Sequence, residues 1–208
     1  YNAITKQAGR QDHGFALRNN TVWDKSLMEI TGEYAKSFGE HSFKLLGGYS
    51  YEENFSQFVQ ASNRGFISDI FEYNNLAVGE NLFPTDVSSN KDMNKLISFF
   101  GRLNYNYKGK YSFTGSLRRD GSSKFGNNNK WGLFPSGSVA WIMSDESFLK
   151  KSKVVNDLKF RIGYGVAGNQ DGISPYNSIA LYGRGDEFYD NGVWRNTYKY
   201  ATHDNPDI

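Results

Sequence analysis

From Leu96 to Met143 the chain alternates with a period of two, and no other feature restricts its fold as much. Ile97, Phe99, Gly101, Leu103, Tyr105 and Tyr107 share one parity; Ser98, Phe100, Arg102, Asn104 and Asn106 share the other. Two unlike faces at this period are the pleat of a β-strand. Lys108-Gly109-Lys110 is a hairpin signal with Gly at its centre. Beyond it Tyr111, Phe113, Gly115 and Leu117 oppose Ser112, Thr114, Ser116 and Arg118. A polar run from Gly121 to Lys130 leads to a third strand carrying Leu133, Pro135, Gly137, Val139, Trp141 and Met143 on one face.

The rest of the chain repeats this scheme. A first strand is expected over about residues 20–36, with Val22, Met28, Ile30, Gly32 and Tyr34 on one face. After a turn at 38–41, a second carries Phe43, Leu45, Gly47, Tyr49 and Tyr51. Residues 1–19 show no period. Residues 60–94 look like a long connection, within which 68–74 allows a short helix. Ser144 as N-cap, Asp145 and Glu146 in a first turn and Lys150 and Lys151 late suggest a short helix near 145–151. Leu158, Phe160, Ile162, Tyr164 and Val166 mark a sixth strand; 167–206 looks like one long loop, with room for a short strand at 178–182.

An apolar strand face can meet a protein core, as in a sandwich, or lipid, as in a barrel with a wet interior. Three features favour the barrel. The strands of about ten to twelve residues exceed the usual five or six of soluble sheets. Tyr105, Tyr107 and Tyr111 gather at strand ends, as aromatic girdles do, and connections alternate short with long. Apolar residues make up 38%, low for a filled core, whereas aromatics reach 16%. A net charge of +2 gives no pull toward nucleic acid, and the absence of cysteine excludes disulfides and thiolate metal sites. No apolar run is long enough for a membrane-spanning helix, and no signal peptide opens the chain.

Four motifs carry a family resemblance. Phe100-Gly101-Arg102-Leu103-Asn104-Tyr105, Arg118-Arg119-Asp120-Gly121-Ser122-Ser123-Lys124-Phe125-Gly126, Trp131-Gly132-Leu133-Phe134-Pro135-Ser136 and Tyr164-Gly165-Val166-Ala167-Gly168-Asn169-Gln170-Asp171-Gly172-Ile173 follow in order. Together they resemble the SusC/RagA family of TonB-linked outer-membrane transporters. Asn205-Pro206-Asp207 looks like the start of that family's Asn-Pro-Asp-Leu strand, with Ile208 in place of Leu. The resemblance is dense from about 96 to 182 and loose before 92.

That resemblance implies an all-β fold, an antiparallel up-and-down transmembrane barrel of about 22 strands of which this chain holds about six. Residues 1–208 would then be part of the barrel domain, without the plug, the TonB-contact segment or the closing strands. It further implies a Gram-negative, Bacteroidetes-like outer membrane and import of oligosaccharides or peptides with a SusD-like surface lipoprotein. TonB would engage through parts outside this chain. A soluble all-β carbohydrate-binding or adhesin module is the alternative.

No cofactor, metal or catalytic motif emerges. Asp120-Gly121-Ser122-Ser123-Lys124 lacks phosphate-loop and calcium-loop spacing, and Gly163-x-Gly165-x-x-Gly168 lies in a strand with no helix after it. His13, His41 and His203 are far apart. The candidates are therefore for transport. Arg102, Asn104, Arg118 and Arg161 stand on polar parities and would face a lumen or plug. Phe71, Tyr73, Asp120, Ser123, Trp131, Asn169, Asp171 and Tyr176 fall in expected loops where a solute or lid would be met. Loop aromatics, among them Tyr182, Tyr189, Trp194 and Tyr198, offer flat faces for sugar rings, although such residues more often pin a loop to its neighbours.

Overall fold

A computed structural model describes residues 13–150 and 154–207. Six strands form one antiparallel sheet in chain order: β1 Phe15–Phe38, β2 His41–Arg64, β3 Val87–Tyr107, β4 Tyr111–Ser122, β5 Trp131–Ile142 and β6 Lys159–Gly165. Two further strands, β7 Leu181–Asp190 and β8 Val193–Thr202, pair only with each other. β1 and β2 are 24 residues long and β3 is 21, beyond the 20–36 span expected for the first strand and the ten to twelve residues expected for the others. The long connection is correspondingly shorter, because β2 runs on to Arg64 and β3 starts at Val87. The 68–74 stretch is turn rather than helix; short 3-10 turns lie at Leu76–Val78 and Pro84–Asp86.

The helix expected at 145–151 is absent among the described residues, Lys151 lying outside them. A 3-10 turn at Met143–Asp145 and turn bonds from Leu149 and Lys150 N–H to the Glu146 carbonyl replace it. The acidic-then-basic order fits a helix dipole, but Glu146 has another task. Its carboxylate accepts from Tyr111 Oη at 2.6 Å, Trp141 Nε1 at 3.2 Å and Lys110 Nζ at 3.4 Å. These bonds, Tyr111 first, hold its carboxyl below the usual range.

The chain divides into two compact units, Tyr1–Lys25 with Asn54–Met93, and Ser26–Glu53 with Asn94–Ile208. In the first, Ala16 and Phe66 are buried beside a polar knot. Asn63 Nδ2 donates to the carbonyls of Leu76 and Gly79 at 2.9 and 2.8 Å. Asp86 accepts from Ser62 Oγ, from Phe83 N–H and, through both carboxylate oxygens, from Arg64. The Arg64 guanidinium lies between the rings of Phe15 and Phe83, at 5.4 and 5.3 Å.

In the second unit the register decides what the parities mean. Phe99 pairs with Arg119, Gly101 with Leu117, Leu103 with Gly115 and Tyr105 with Phe113. Phe113 pairs on with Val139, and Val139 with Ile162. Residues directly across a ladder share a face, so the apolar parities of β3 to β6 combine on one side and the polar parities on the other. The apolar side is bare: Phe99, Leu117, Leu133, Phe160 and Ile162 are all at least half exposed. Among the described residues of the whole chain, Ala16 and Phe66 are the only buried hydrophobic ones.

Aromatic rings bound the apolar face at two levels. At the short-turn end they run from Phe38 through His41, Phe43, Tyr105, Tyr107 and Tyr111 to Trp141, neighbouring centroids 4.7–6.3 Å apart. At the other level Tyr49, Phe99 and Trp131 are linked at 5.3 and 6.2 Å, with Arg119 over the Trp131 indole. The short connections meet at one end: Lys108 N–H donates to the Glu40 carbonyl, and Lys110 pairs with Glu146. Lys108 and Gly109 both have positive φ and Lys110 N–H bonds to the Tyr107 carbonyl, a type I′ turn that matches strand twist.

Candidate functional site

On the polar face Arg118 is the centre of a fixed constellation. Its Nε donates to both oxygens of Asp120 at 2.7 and 2.9 Å, and a terminal nitrogen donates to Ser98 Oγ at 2.8 Å. Ser98 is fully buried beneath it. β4 places Arg118 and Asp120 two residues apart, hence side by side on one face. The segment after β6 brings Asn169, Gln170 and Asp171 to the same place, and together they line a cleft of about 690 Å³. Phe134 supplies its apolar wall. Side-chain atoms at Gly132 or Gly168 would collide with its ring, so both glycines leave room for that ring.

Three of the sequence motifs converge above this cleft. Lys124 Nζ donates to the Gln170 carbonyl at 3.3 Å. Asn128 donates through its backbone to the Pro206 carbonyl at 3.2 Å and through Nδ2 to Asp207 at 2.6 Å; Asn129 Nδ2 reaches the Asp207 carbonyl at 2.8 Å. Gly126 lies so close to Pro206 that a Cβ there would overlap its carbonyl. The Ser-Ser-Lys-Phe-Gly, Gly-Asn-Gln-Asp-Gly and Asn-Pro-Asp runs thus tie the long connections of one strand end together.

No protein-family model matches the chain. TonB-dependent receptor P3 of Formosa agariphila is 44% identical over 168 residues, 81% of this chain and 16% of that relative. TonB-dependent receptor SusC of Bacteroides thetaiotaomicron is 34% identical over 156 residues, 75% of this chain and 15% of the relative. The structure of the RagAB peptide transporter superposes with a TM-score of 0.75 at 27% identity, covering 92% of this chain and 21% of that one. The chain belongs to the SusC/RagA family of TonB-dependent receptors. It spans about a sixth of the length of the curated relatives it matches. These relatives are receptors and transporters, not enzymes.

Within this family segment the expected site residues separate. Arg118, Asp120, Asn169 and Asp171 come together in the cleft just described. Arg102 lines a neighbouring recess of about 480 Å³ with Glu29 and Phe100, and Asn104 lines another with Lys44, accepting from Thr114 Oγ1 at 2.9 Å. Arg161 pairs with Ala140 on the same face, apart from these recesses. Ser123 ties its loop to β3, bonding Lys95 through both backbone and hydroxyl. Trp131, expected in a loop, opens β5 on the apolar face, its ring over Gly121. Phe71 and Tyr73 are half exposed in the turn after β2, and Tyr176 has positive φ in a turn closed by Ile179 N–H. Phe134 and Gln170 were missed. Phe134 had a signal, an aromatic on the polar parity two residues after a glycine.

Proposed function

We propose that this chain is a wall-and-mouth segment within the barrel domain of an outer-membrane, TonB-dependent importer that takes up oligosaccharides or peptides with a SusD-like surface lipoprotein. One observation carries the reading: a bare apolar face bounded by two aromatic levels. Trp131 and Trp141 stand ten positions apart in β5. At about 3.3 Å per residue and a tilt of about 40°, that separation is roughly 25 Å, the height of the apolar band of a membrane barrel. A soluble sandwich would cover such a face with a second layer, and monomeric soluble proteins seldom leave so broad a patch open. The polar face, with Arg102, Asn104, Arg118 and Arg161, then borders the lumen and plug, and the loops of the Asp120, Ser123 and Asn169–Asp171 knot face a solute or lid.

Sidedness tests this directly. The ends at Gly39–Glu40, Lys108–Lys110 and Met143–Leu158 belong to the periplasm, and the 123–130 and 166–207 connections to the outside. The sequence holds no cysteine, so single replacements are clean probes. In the full-length transporter on intact cells, an impermeant thiol reagent is expected to label Ser123→Cys and Asn177→Cys and to miss Gly109→Cys and Ser147→Cys. Labelling at all four positions would show a domain bathed in solvent at both ends and end the membrane reading.

A further inference from the structure

The β7–β8 hairpin carries a surface that neither the cleft nor the sheet uses. Tyr182 pairs with Tyr200, Arg184 with Tyr198, Glu187 with Asn196 and Tyr189 with Trp194, and the irregularity between Arg184 and Glu187 keeps these pairs in phase. Five aromatic rings, Tyr182, Tyr189, Trp194, Tyr198 and Tyr200, therefore share one face. All are more than half exposed, Tyr198 reaching 81%. Four of the rings are held by contacts among themselves. Tyr182 and Tyr200 lie 4.6 Å apart with their hydroxyls bonded at 2.9 Å, Tyr189 and Trp194 lie 5.3 Å apart, and His203 stacks on Tyr200.

Charge decides what such a face fits. The hairpin holds six charged residues, and each is paired with another: Arg184 with Glu187, Arg195 with Asp190, and Lys199 with Asp186. The surface is therefore neutral in sum and has no cation awaiting an anion. The other paired members of the aromatic face are Arg184, Glu187 and Asn196, so amide and ion-paired groups lie between the rings. Flat rings interleaved with phenol, amide and ion-paired groups suit a ligand with apolar C–H faces and a rim of hydroxyls.

We infer that the aromatic face of β7–β8 is a stacking platform for the rings of an uncharged oligosaccharide. This rests on the importer reading and narrows its solute class at the outer mouth. A charged glycan or a peptide with charged ends would leave its ions facing a surface whose own charges are already paired.

Binding of maltohexaose, cellohexaose and a β-1,3-linked glucose hexamer to the purified full-length transporter, followed by calorimetry, tests this against hexagalacturonate and a hexapeptide. At least one neutral hexamer is expected to bind. Trp194→Ala with Tyr198→Ala should weaken it about tenfold or more, the loss of two stacking faces. Trp194→Phe with Tyr198→Phe should stay within about threefold, since the faces remain. Phe188→Ala, on the opposite face, should change nothing. The inference is overturned if no neutral hexamer binds, if the charged glycan or the peptide binds instead, or if the double alanine variant binds normally. It is also overturned if that variant loses a co-purifying lipoprotein but not the sugar, which would make the face a protein contact. Heat-modifiable mobility and membrane localisation, scored on the same variants, report on the importer reading separately.

Discussion

Leu117→Arg is expected to abolish barrel assembly, whereas Ser116→Arg, one residue away, leaves it largely intact. Leu117 lies between the two aromatic levels on the apolar face, beside Gly101 and Pro135, and is 50% exposed. An arginine at the midplane of a lipid-facing wall costs about 2–4 kcal/mol, and no polar neighbour on that face offsets it. Ser116 points the other way, its hydroxyl 2.5 Å from Ser136 Oγ, into a wet recess that already holds Arg102 and Arg118. A third cation there meets like charge but keeps its hydration. Heat-modifiable mobility of the full-length protein measures both variants. Equal loss in the two would mean that the faces do not differ in the medium they meet, and loss in Ser116→Arg alone would mean that the faces are reversed.

Asp86→Asn is expected to open the connection between β2 and β3. Asp86 is 4% exposed and accepts from Phe83 N–H, Ser62 Oγ and Arg64. The amide keeps the shape but removes the carboxylate charge that the Arg64 guanidinium meets at both oxygens. Removing one partner of such a pair is more damaging than removing both. Amide exchange across residues 66–83 should quicken by about tenfold or more, because exchange follows the free energy of local opening.

Acid supplies the matching test. The Phe83 N–H, first among several causes, holds the Asp86 carboxyl below its ordinary value in the folded state. A depressed carboxyl stabilises the fold fully above the unfolded value of about 4, and that stability is lost as pH falls through the folded value. The wild-type connection should therefore be equally protected at pH 7 and pH 5, once intrinsic exchange is corrected, and should loosen only in stronger acid. The Asp86→Asn variant should be loose throughout. Equal protection of both proteins at neutral pH would assign the closure to Asn63 and its two carbonyl partners instead.

The faces of β3 to β6 were legible because a period of two fixes side-chain direction whatever lies beyond the strand. Strand length was not. Asn54 to Arg64 scatters Phe55, Phe58 and Val59 over both parities, and Ser88 to Asp92 is polar throughout, so no alternation marks them, yet both belong to strands. The β7–β8 hairpin was missed although Asn191-Gly192, both with positive φ, forms a two-residue hairpin turn. Asn-Gly between alternating aromatics is the strongest short-range hairpin signal, but Gly183 and Gly185 and the irregularity beyond Arg184 hid the period. The helix expected near 145–151 failed for a tertiary reason: Glu146 is drawn to Tyr111, Trp141 and Lys110. As for the cleft, Arg118 and Asp120 were visible as neighbours on one parity, but nothing local shows that Asn169 and Asp171, some fifty residues on, close it.

In the described sheet β1 and β6 are the terminal strands, so the outer row of amide and carbonyl groups on each pairs with no other described strand. For β1 that row is 24 residues long, with Val22, Met28, Ile30 and Tyr34 alternating along it. An open edge of this kind templates the addition of further strands. Released by proteolysis or expressed apart from neighbouring strands, this segment is therefore primed to recruit its own copies edge to edge, toward cross-β fibrils rather than a monomer. Covering β1 during biogenesis is then as pressing a task as inserting the apolar face into lipid.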